Sequence, residues 1–180
     1  MTAAEVQPSI RTARLTLRPR RMADAARFAA HLAERDVVWM LSSMPHPYTR
    51  ADAEEWLSGA LDEPGDLPFV IDDGTGALGV IALNTQEGDT RRLGFWLAKP
   101  FWGKGLTGEA AKALVGWGFA QTAMDRLVSR VFVENTASRR IHDRLGFRET
   151  GPTTMHSPVR GGSGPAVGYE LTRRAWEGRT

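Results

Sequence analysis

The stretch Leu93-Gly94-Phe95-Trp96-Leu97-Ala98-Lys99-Pro100-Phe101-Trp102-Gly103-Lys104-Gly105-Leu106-Thr107-Gly108-Glu109-Ala110 decides the reading of this chain. Leu93 to Leu97 is an apolar run of strand length. A Pro turn follows, then three close glycines, Gly103, Gly105 and Gly108, and a helical pattern begins at once. The first N–H groups of a helix have no intrahelical partner, and the helix dipole adds partial positive charge beside them. Glycines allow positive φ and let a phosphate touch the main chain. Strand, glycine loop and helix start in this order predict a cradle for a phosphorylated ligand at residues 103–108.

Around that stretch the chain reads as strands and helices in alternation. Arg14 to Arg18 alternates as a strand stopped by Pro19, and Met22 to Arg35 places Ala25, Phe28, Ala29 and Leu32 at helical spacing. A short helical piece is expected over residues 37–43, and Met44 to Tyr48, with two prolines, is a loop. Thr49 and Asp52 form the N-terminal signature of a helix with Ala53, Trp56, Leu57, Ala60 and Leu61 inward. Strands follow at 69–72, 78–84 and 91–97, the first two joined by the turn Asp73-Gly74-Thr75-Gly76. The helix after the glycine loop runs to about Ala120, with Ala110, Leu114 and Trp117 on one face. Leu127 to Val133 is β-rich, and Asn135 caps a helix, with Ala137, Ile141 and Leu145 inward, that Gly146 ends. Two further strands, 147–155 and 166–171, flank a segment, 157–165, whose Gly, Ser and Pro content predicts a mobile loop. This order predicts an α/β chain built on a mixed sheet with helices on both faces.

The length of 180 residues fits one domain over 1–180, with 1–10 as a flexible start. The absence of cysteine excludes disulfides, thiolate metal sites and cysteine nucleophiles, and the four histidines lack metal-ligand spacing, so no metal is expected. No apolar run reaches the ~20 residues of a membrane span, and the first residues do not form a signal peptide. The expected location is the cytoplasm. Charge is unevenly placed: residues 51–90 hold ten Asp or Glu and no Lys or Arg, whereas residues 91–180 hold fifteen Lys or Arg against seven acids. The basic part contains the glycine loop, as an anionic ligand favours. The acidic block reads either as a solvated face or as an attraction for a cationic second substrate. No basic run with interleaved aromatics points to nucleic acid.

Gly103-x-Gly105-x-x-Gly108 formally matches a dinucleotide fingerprint, but the acid that ends the next strand, Glu134, is 26 residues past Gly108, and no G-K-[ST] closes a Walker loop. A broader pattern fits instead. Thr12-Ala-Arg-Leu-Thr-Leu-Arg-Pro19, Pro47-Tyr-Thr-x-x-Asp-Ala-x-x-Trp56, Gly94-Phe-Trp-Leu with Phe101-Trp-Gly-Lys-Gly-Leu-Thr-Gly-Glu-Ala110, and Asn135-Thr-Ala-Ser138 ending in Leu145-Gly-Phe147 together resemble the GCN5-related N-acetyltransferases (GNAT), most closely the RimJ/RimL-like branch that acetylates ribosomal-protein N-termini. The resemblance implies the GNAT fold, a mostly antiparallel sheet of about seven strands with a splayed strand pair, in a bacterial, cytoplasmic enzyme. It implies acetyl-CoA as co-substrate and an amine as acceptor: a protein N-terminus, a polyamine or a small amine. It implies no nucleic-acid or membrane partner, and a monomer or homodimer.

The resemblance assigns the pyrophosphate to the backbone N–H groups of Gly103, Lys104, Gly105, Leu106, Thr107 and Gly108. Pantetheine and the acetyl carbonyl are assigned to Phe95, Trp96 and Leu97. In the family's six-residue pattern Trp102 takes the first place and Gly105 the fourth; Thr107 stands last, where Gly or Ala is usual. The side chains of Trp96 and Trp102 read as packing. Asn135 is a helix cap on local grounds and a pantetheine contact by resemblance. Arg139 and Arg140 are candidates for the ligand's phosphates, at least one of them reading as solvated surface, and Arg140 is retained.

Acetyl transfer from a thioester needs a neutral amine, a donor to the tetrahedral oxyanion and a proton for the departing thiolate. Many family members supply that proton from a Tyr seven residues after the Asn, a position His142 takes here. Ser138 and His142 lie four apart and share a helix face, while Ile141 and Leu145 share an apolar one. His142 is therefore either a proton donor or an exposed surface histidine, and Ser138 either a donor to the thiol or a first-turn residue. Arg130 stands where some relatives carry a Glu base. Glu87, Asp89, His46 and His156 are the remaining base candidates, each also readable as surface. A module that binds acyl-CoA without catalysis, or a nucleotide-binding oxidoreductase, are the alternative functions.

Overall fold

The computed structural model describes residues 7–179. Its sheet is built from β1 (Ile10–Arg11), β2 (Thr16–Arg18), β3 (Leu67–Asp72), β4 (Ala77–Thr85), β5 (Thr90–Leu97), β6 (Arg126–Phe132), β7 (Arg148–Ser157) and β8 (Gly162–Thr172). The spatial order is β1-β2-β3-β4-β5-β6-β8-β7. Only β5–β6 is parallel; the other six pairings are antiparallel. The helices are α1 (Ala25–Leu32), α2 (Arg35–Val38), α3 (Arg50–Ser58), α4 (Leu106–Gln121), α5 (Thr136–Leu145) and α6 (Arg173–Glu177).

Alternation along the strands divides the core in two, because successive side chains point to opposite faces. Phe69, Ile71, Ile81, Leu83, Leu93 and Leu97 pack with Leu106, Ala110, Leu114 and Phe119 of α4 and with Leu145 of α5. Val70, Val80 and Trp96 point the other way, onto Phe28 and Leu32 of α1 and Ala53 and Leu57 of α3. Helices thus cover both faces of a mixed sheet, as the element order predicts. Thr49 caps α3 as expected, its side chain taking the Asp52 N–H while Asp52 takes the Thr49 N–H.

Several boundaries differ from expectation for identifiable reasons. The strand predicted from Arg14 starts only at Thr16, because Thr12 Oγ1 and the Arg14 backbone turn aside to donate to Glu109 (2.6 and 2.9 Å). The helix predicted from Met22 opens with a 3-10 turn, Met22–Asp24, in which Asp24 takes the Arg21 N–H and pairs with buried Arg18 (2.8 Å). The sheet has eight strands rather than seven, since Ile10–Arg11 pairs with β2. Of the expected flexible start, residues 1–6 lie outside the described residues; Gln7 donates to the Pro68 carbonyl (2.6 Å) and Ile10 is in β1.

The predicted mobile loop at 157–165 is instead the tip of a long hairpin. β7 and β8 stay paired to Ser157↔Gly162, and a 3-10 turn, Pro158–Arg160, closes them. Arg160 supplies the ordering contacts that composition hides. Its guanidinium lies 3.7 Å from the Phe132 ring centroid and 4.6 Å from that of Trp39, and it donates to the Trp39 carbonyl and to Glu134.

Candidate active site

The parallel pair β5–β6 holds for only three residues, Thr90↔Arg126, Arg91↔Leu127 and Arg92↔Val128. The last link is a side chain: Ser129 Oγ, buried on β6, donates to the Leu93 carbonyl (3.1 Å). Leu93 therefore points its main-chain groups toward β6, and by alternation so do Phe95 and Leu97. The other parity faces β4, where the Trp96 carbonyl crowds Gly79 so closely that a Cβ there would lie 2.2 Å from it. Beyond Leu93 the two strands part. Trp102 Nε1 takes the Leu97 carbonyl (2.6 Å), which leaves the N–H groups of Phe95 and Leu97 and the Phe95 carbonyl facing the opening. Such unpaired strand groups can pair with an extended ligand arm, and N–H groups so placed can donate to a developing oxyanion.

The glycine loop sits at the end of this opening. Gly103 and Gly105 both take φ +74°, a region where a Cβ is strained, and Gly105 caps α4 without a side-chain hydrogen bond. Glu109 N reaches back to the Gly105 carbonyl (3.1 Å), so Leu106, Thr107 and Gly108 contribute N–H groups with no intrahelical partner. A Cβ on Gly103 or Gly108 would meet nothing within 4 Å. A sixteen-residue helix therefore offers a bare mouth, which fits a diphosphate.

Side chains support the loop from behind. Leu106 is buried in the core, so only its amide is available to a ligand. Glu109 is turned away onto Thr12 and Arg14, and although burial raises its pKa, those hydrogen bonds outweigh this and keep it below the usual carboxylate range. Arg14 also donates to the Lys104 carbonyl (2.9 Å), tying the loop to the segment before β2. Lys104 is exposed, its ammonium 5.2 Å from the Phe101 ring centroid. Of the two tryptophans read as packing, Trp96 is buried against Phe28, ring centroids 5.3 Å apart. Trp102 is 44 % exposed and acts as a clip through its indole N–H rather than as core.

Helix α5 borders the opening with its polar side. The inward residues are Ser138, His142 and Leu145; of the other residues expected inward, Ile141 is only half-buried and Ala137 is exposed. His142 is thus not the exposed surface histidine that one reading expected. It is 1 % exposed and stacks on Phe95 and Tyr169, centroids 5.7 and 4.8 Å away, with Phe147 edge-on at 4.9 Å. Nδ1 lies 2.8 Å from the Ser138 carbonyl, which can only accept, so Nδ1 carries the proton and Nε2 a lone pair without a partner. Burial lowers its pKa from 6.5, partly offset by that hydrogen bond, and keeps the ring neutral at neutral pH. Asn135 Oδ1 caps α5 by accepting from Ser138 N (3.1 Å). Arg139 is committed to Tyr169 Oη (3.1 Å) and Glu149, while Arg140 is exposed.

On the opposite face of the sheet, a cavity of about 370 Å³ reaches Gly94, Phe95 and Trp96 from the side of α1 and α3. Trp56, Tyr48 and Met155 line it, and of the four base candidates only His156 does. From the acidic block, only Asp62 and Asp66 reach it, and both are engaged. Asp62 pairs with Arg20, and Asp66 accepts from Thr85 N (2.6 Å) and Glu63 N (3.2 Å). Among the described residues, no group of three or more His, Asp or Glu could hold a metal ion.

Residues 14–148 match the family model described as an acetyltransferase (GNAT) domain. The chain belongs to the GNAT acetyltransferases. It is 30% identical over 133 residues to "Putative ribosomal N-acetyltransferase YdaF" of Bacillus subtilis (strain 168), covering 73% of this chain and 72% of that protein. Its fold superposes on Mycobacterium smegmatis RimJ in complex with CoA-disulfide with a TM-score of 0.78, at 24% identity, covering 92% and 86% of the two chains. RimL, a ribosomal L7/L12 alpha-N-protein acetyltransferase in complex with coenzyme A, also gives 0.78, at 20% identity over 92% and 98%. The GNAT chain is an acetyl-CoA-dependent N-acetyltransferase that moves an acetyl group to an amine, and the dinucleotide reading of the three glycines falls with the match. Acetyl-CoA is its co-substrate, and the bare mouth of α4 and the parted strands fit it. Among the described residues no helix is long and apolar enough to cross a membrane.

Sequence reading missed three supporting groups: Ser129, which ends the strand pairing; Arg14, which braces the loop; and Tyr169, which cages His142. A buried Ser within the apolar alternation of β6 was the available signal for the first.

Proposed function

We propose that this chain acetylates the α-amine of a protein or peptide N-terminus in the cytoplasm, by direct attack within a ternary complex. The observation that carries the reading is that the cavity and the strand opening meet at Gly94 and Phe95 from opposite faces of one sheet. Acetyl-CoA supplies the thioester carbonyl. The backbone N–H groups of Gly103, Lys104, Gly105, Leu106, Thr107 and Gly108 hold the pyrophosphate, with Arg140 an exposed cation on α5. Phe95 and Leu97 present their amides along the pantetheine arm, the Trp96 side chain fixes their strand, and Asn135 offers Nδ2 while Oδ1 caps α5.

An N-terminal α-amine, with a pKa near 8, is partly neutral at pH 7 and needs little help, whereas a Lys amine is almost wholly protonated. His156 is the one expected base candidate on the cavity wall. The N–H of Phe95 or Leu97 stabilises the oxyanion, and the Ser138 hydroxyl donates to the departing sulfur. His142, readable from the sequence as either a proton donor or a surface histidine, donates its one proton to the Ser138 carbonyl. In this state it positions Ser138 and backs Phe95, and only its imidazolium donates. Two names support the acceptor class: "Putative ribosomal N-acetyltransferase YdaF" and RimL, a ribosomal L7/L12 alpha-N-protein acetyltransferase. Every group named lies within the chain 1–180 as a single GNAT domain, so one copy suffices, alone or in a homodimer.

The test is thiol release from acetyl-CoA with a free-N-terminus peptide, the same peptide N-blocked but containing Lys, and spermidine. Release with the first alone supports the reading. Equal release with the blocked peptide, or with spermidine in preference to the peptide, overturns it.

A further inference from the structure

Charge on the cavity floor is distributed in a way that the acetyl-transfer chemistry does not use. Asn84 on β4 pairs in register with Arg92 on β5, and Arg92 with Val128 on β6. Arg130 is two residues past Val128, so its side chain leaves the same face of the sheet. All three polar residues line the cavity. Strand spacing and rise put the Cα atoms of Arg92 and Arg130 roughly 8 Å apart.

Neither guanidinium has an ion-pair or hydrogen-bond partner among the described residues. The reasons are local. Arg130 opposes Gly168 on β8, with Gly151 of β7 beyond it, so the neighbouring strands offer no carboxylate. The nearest acid on that face, Glu170, opposes Val128 and is already engaged by Arg126 and Arg148. Asp62 is held by Arg20, and Asp66 is spent on backbone N–H groups. Both side chains are exposed at the cavity, so an anion bound there can reach two guanidinium groups whose charge no carboxylate of the fold has already met. Two guanidinium forks and an amide provide the planar donors that a carboxylate or phosphate takes best.

The geometry points to an anion subsite: we propose that Arg92, Arg130 and Asn84 select peptide N-termini with an acidic side chain at the second or third residue. Arg92 stands two residues before Gly94, roughly 7 Å along the strand from where the cavity meets the opening. An N-terminal amine at Gly94–Phe95 puts the side chain of the next residue or the one after over the two arginines. The proposal rests on the N-terminal acceptor reading and gives it a sequence preference opposite to the one the acidic block 51–90 implies: the ten acids of that block draw a cation only if they reach the acceptor free, and the two that reach it are engaged.

The experiment measures kcat/KM for acetylation of three peptides that differ only at position two or three, carrying Asp, phosphoserine or Asn, by the wild type, by Arg92→Gln, by Arg130→Gln and by the double variant. Thermal melts of all four proteins are measured beside it. The expected result is a preference of about tenfold or more for Asp or phosphoserine over Asn, weakening as salt rises, that each variant reduces and the double variant brings below about twofold. Equal rates for the charged and neutral peptides with the wild type overturn the subsite and leave the N-terminal acceptor standing. No release with any peptide, with acetyl-CoA bound, overturns the acceptor reading itself. A preference unchanged in folded double variant also overturns the subsite, as does free aspartate or O-phosphoserine outcompeting the peptides, which makes the anion's source a small amine.

Discussion

The three loop glycines are separable by substitution. Gly108 is the third residue of α4, has no positive φ, and a Cβ there meets no protein atom within 4 Å. The fold therefore does not need glycine at this position. Alanine is favoured over glycine in a helix by about 1 kcal/mol, and for a chain of this size that raises Tm by about 2–4 °C. The same methyl projects from the helix mouth, where the diphosphate is placed. Loss of one charge-assisted hydrogen bond there costs about 1.5 kcal/mol or more, roughly tenfold in Kd. Gly108→Ala is thus expected to stabilise the protein and weaken coenzyme A at once.

Gly105→Ala gives the contrast, because at φ +74° the Cβ costs roughly 1–2 kcal/mol and Tm falls by roughly 2–8 °C along with affinity. Thermal melts without ligand and titration calorimetry with coenzyme A read both quantities. A Gly108→Ala protein with raised Tm but a Kd within twofold of wild type refutes the reasoning, since it shows that no ligand group approaches this turn.

Three other expectations follow from the packing. Gly94 faces the cavity with open space where a Cβ would be, so Gly94→Leu is expected to lower kcat/KM for the acceptor at least tenfold while leaving the coenzyme A Kd unchanged by calorimetry; parallel losses in both would place the acceptor elsewhere. Arg18, buried with Asp24 and Asp72 at 2.8 and 2.7 Å, is expected to cost about 3–5 kcal/mol when replaced by Met, read by urea unfolding, because two carboxylates lose their cation. Burial lowers the pKa of His31 and of His142 below 6.5, so below that pH the unfolded chain binds protons the folded one refuses. Stability is then full above pH 6.5 and falls on acidification by up to about 1.4 kcal/mol per pH unit per histidine; His142→Phe should remove one histidine's share of that slope between pH 7 and 5, and an unchanged slope would contradict the buried neutral state.

Local patterns made most of the fold legible. The strands read at 69–72, 78–84 and 91–97, the Thr49–Asp52 cap and the turn at 73–76 are short-range features, and the structure contains each of them. The misreadings involve contacts distant in sequence. Composition makes 157–165 look like a loop, yet Arg160 reaches Trp39 and Glu134 and keeps the hairpin closed. The charge of the 51–90 block sums correctly but says nothing about which acids meet a substrate, because Asp62 meets Arg20 first. Helical spacing on α5 puts Ser138 and His142 on one face without revealing which face is inward, and Phe95 on β5, Tyr169 on β8 and Phe147 just after the helix decide it.

That last decision bears on why the site lies where it does. A folded chain ordinarily turns apolar residues inward, satisfies buried polar atoms and keeps its strands paired, and departures from those rules concentrate where function requires them. Here the departures converge on one place. α5 buries its serine and histidine instead of its isoleucine. His142 Nε2 is sealed without a partner. β5 carries a glycine midway and loses its β6 partner after Arg92, five residues before Leu97, whose carbonyl Trp102 takes. Each feature alone has a structural explanation; together they describe a sheet held open at a fixed width. Ser129 sets where the strands separate, and His142, wedged between Phe95 and Tyr169, prevents the gap from collapsing. The opening is therefore set by the chain's own contacts, and the same contacts orient the amides of Phe95 and Leu97, which is the condition under which backbone dipoles lower a barrier most.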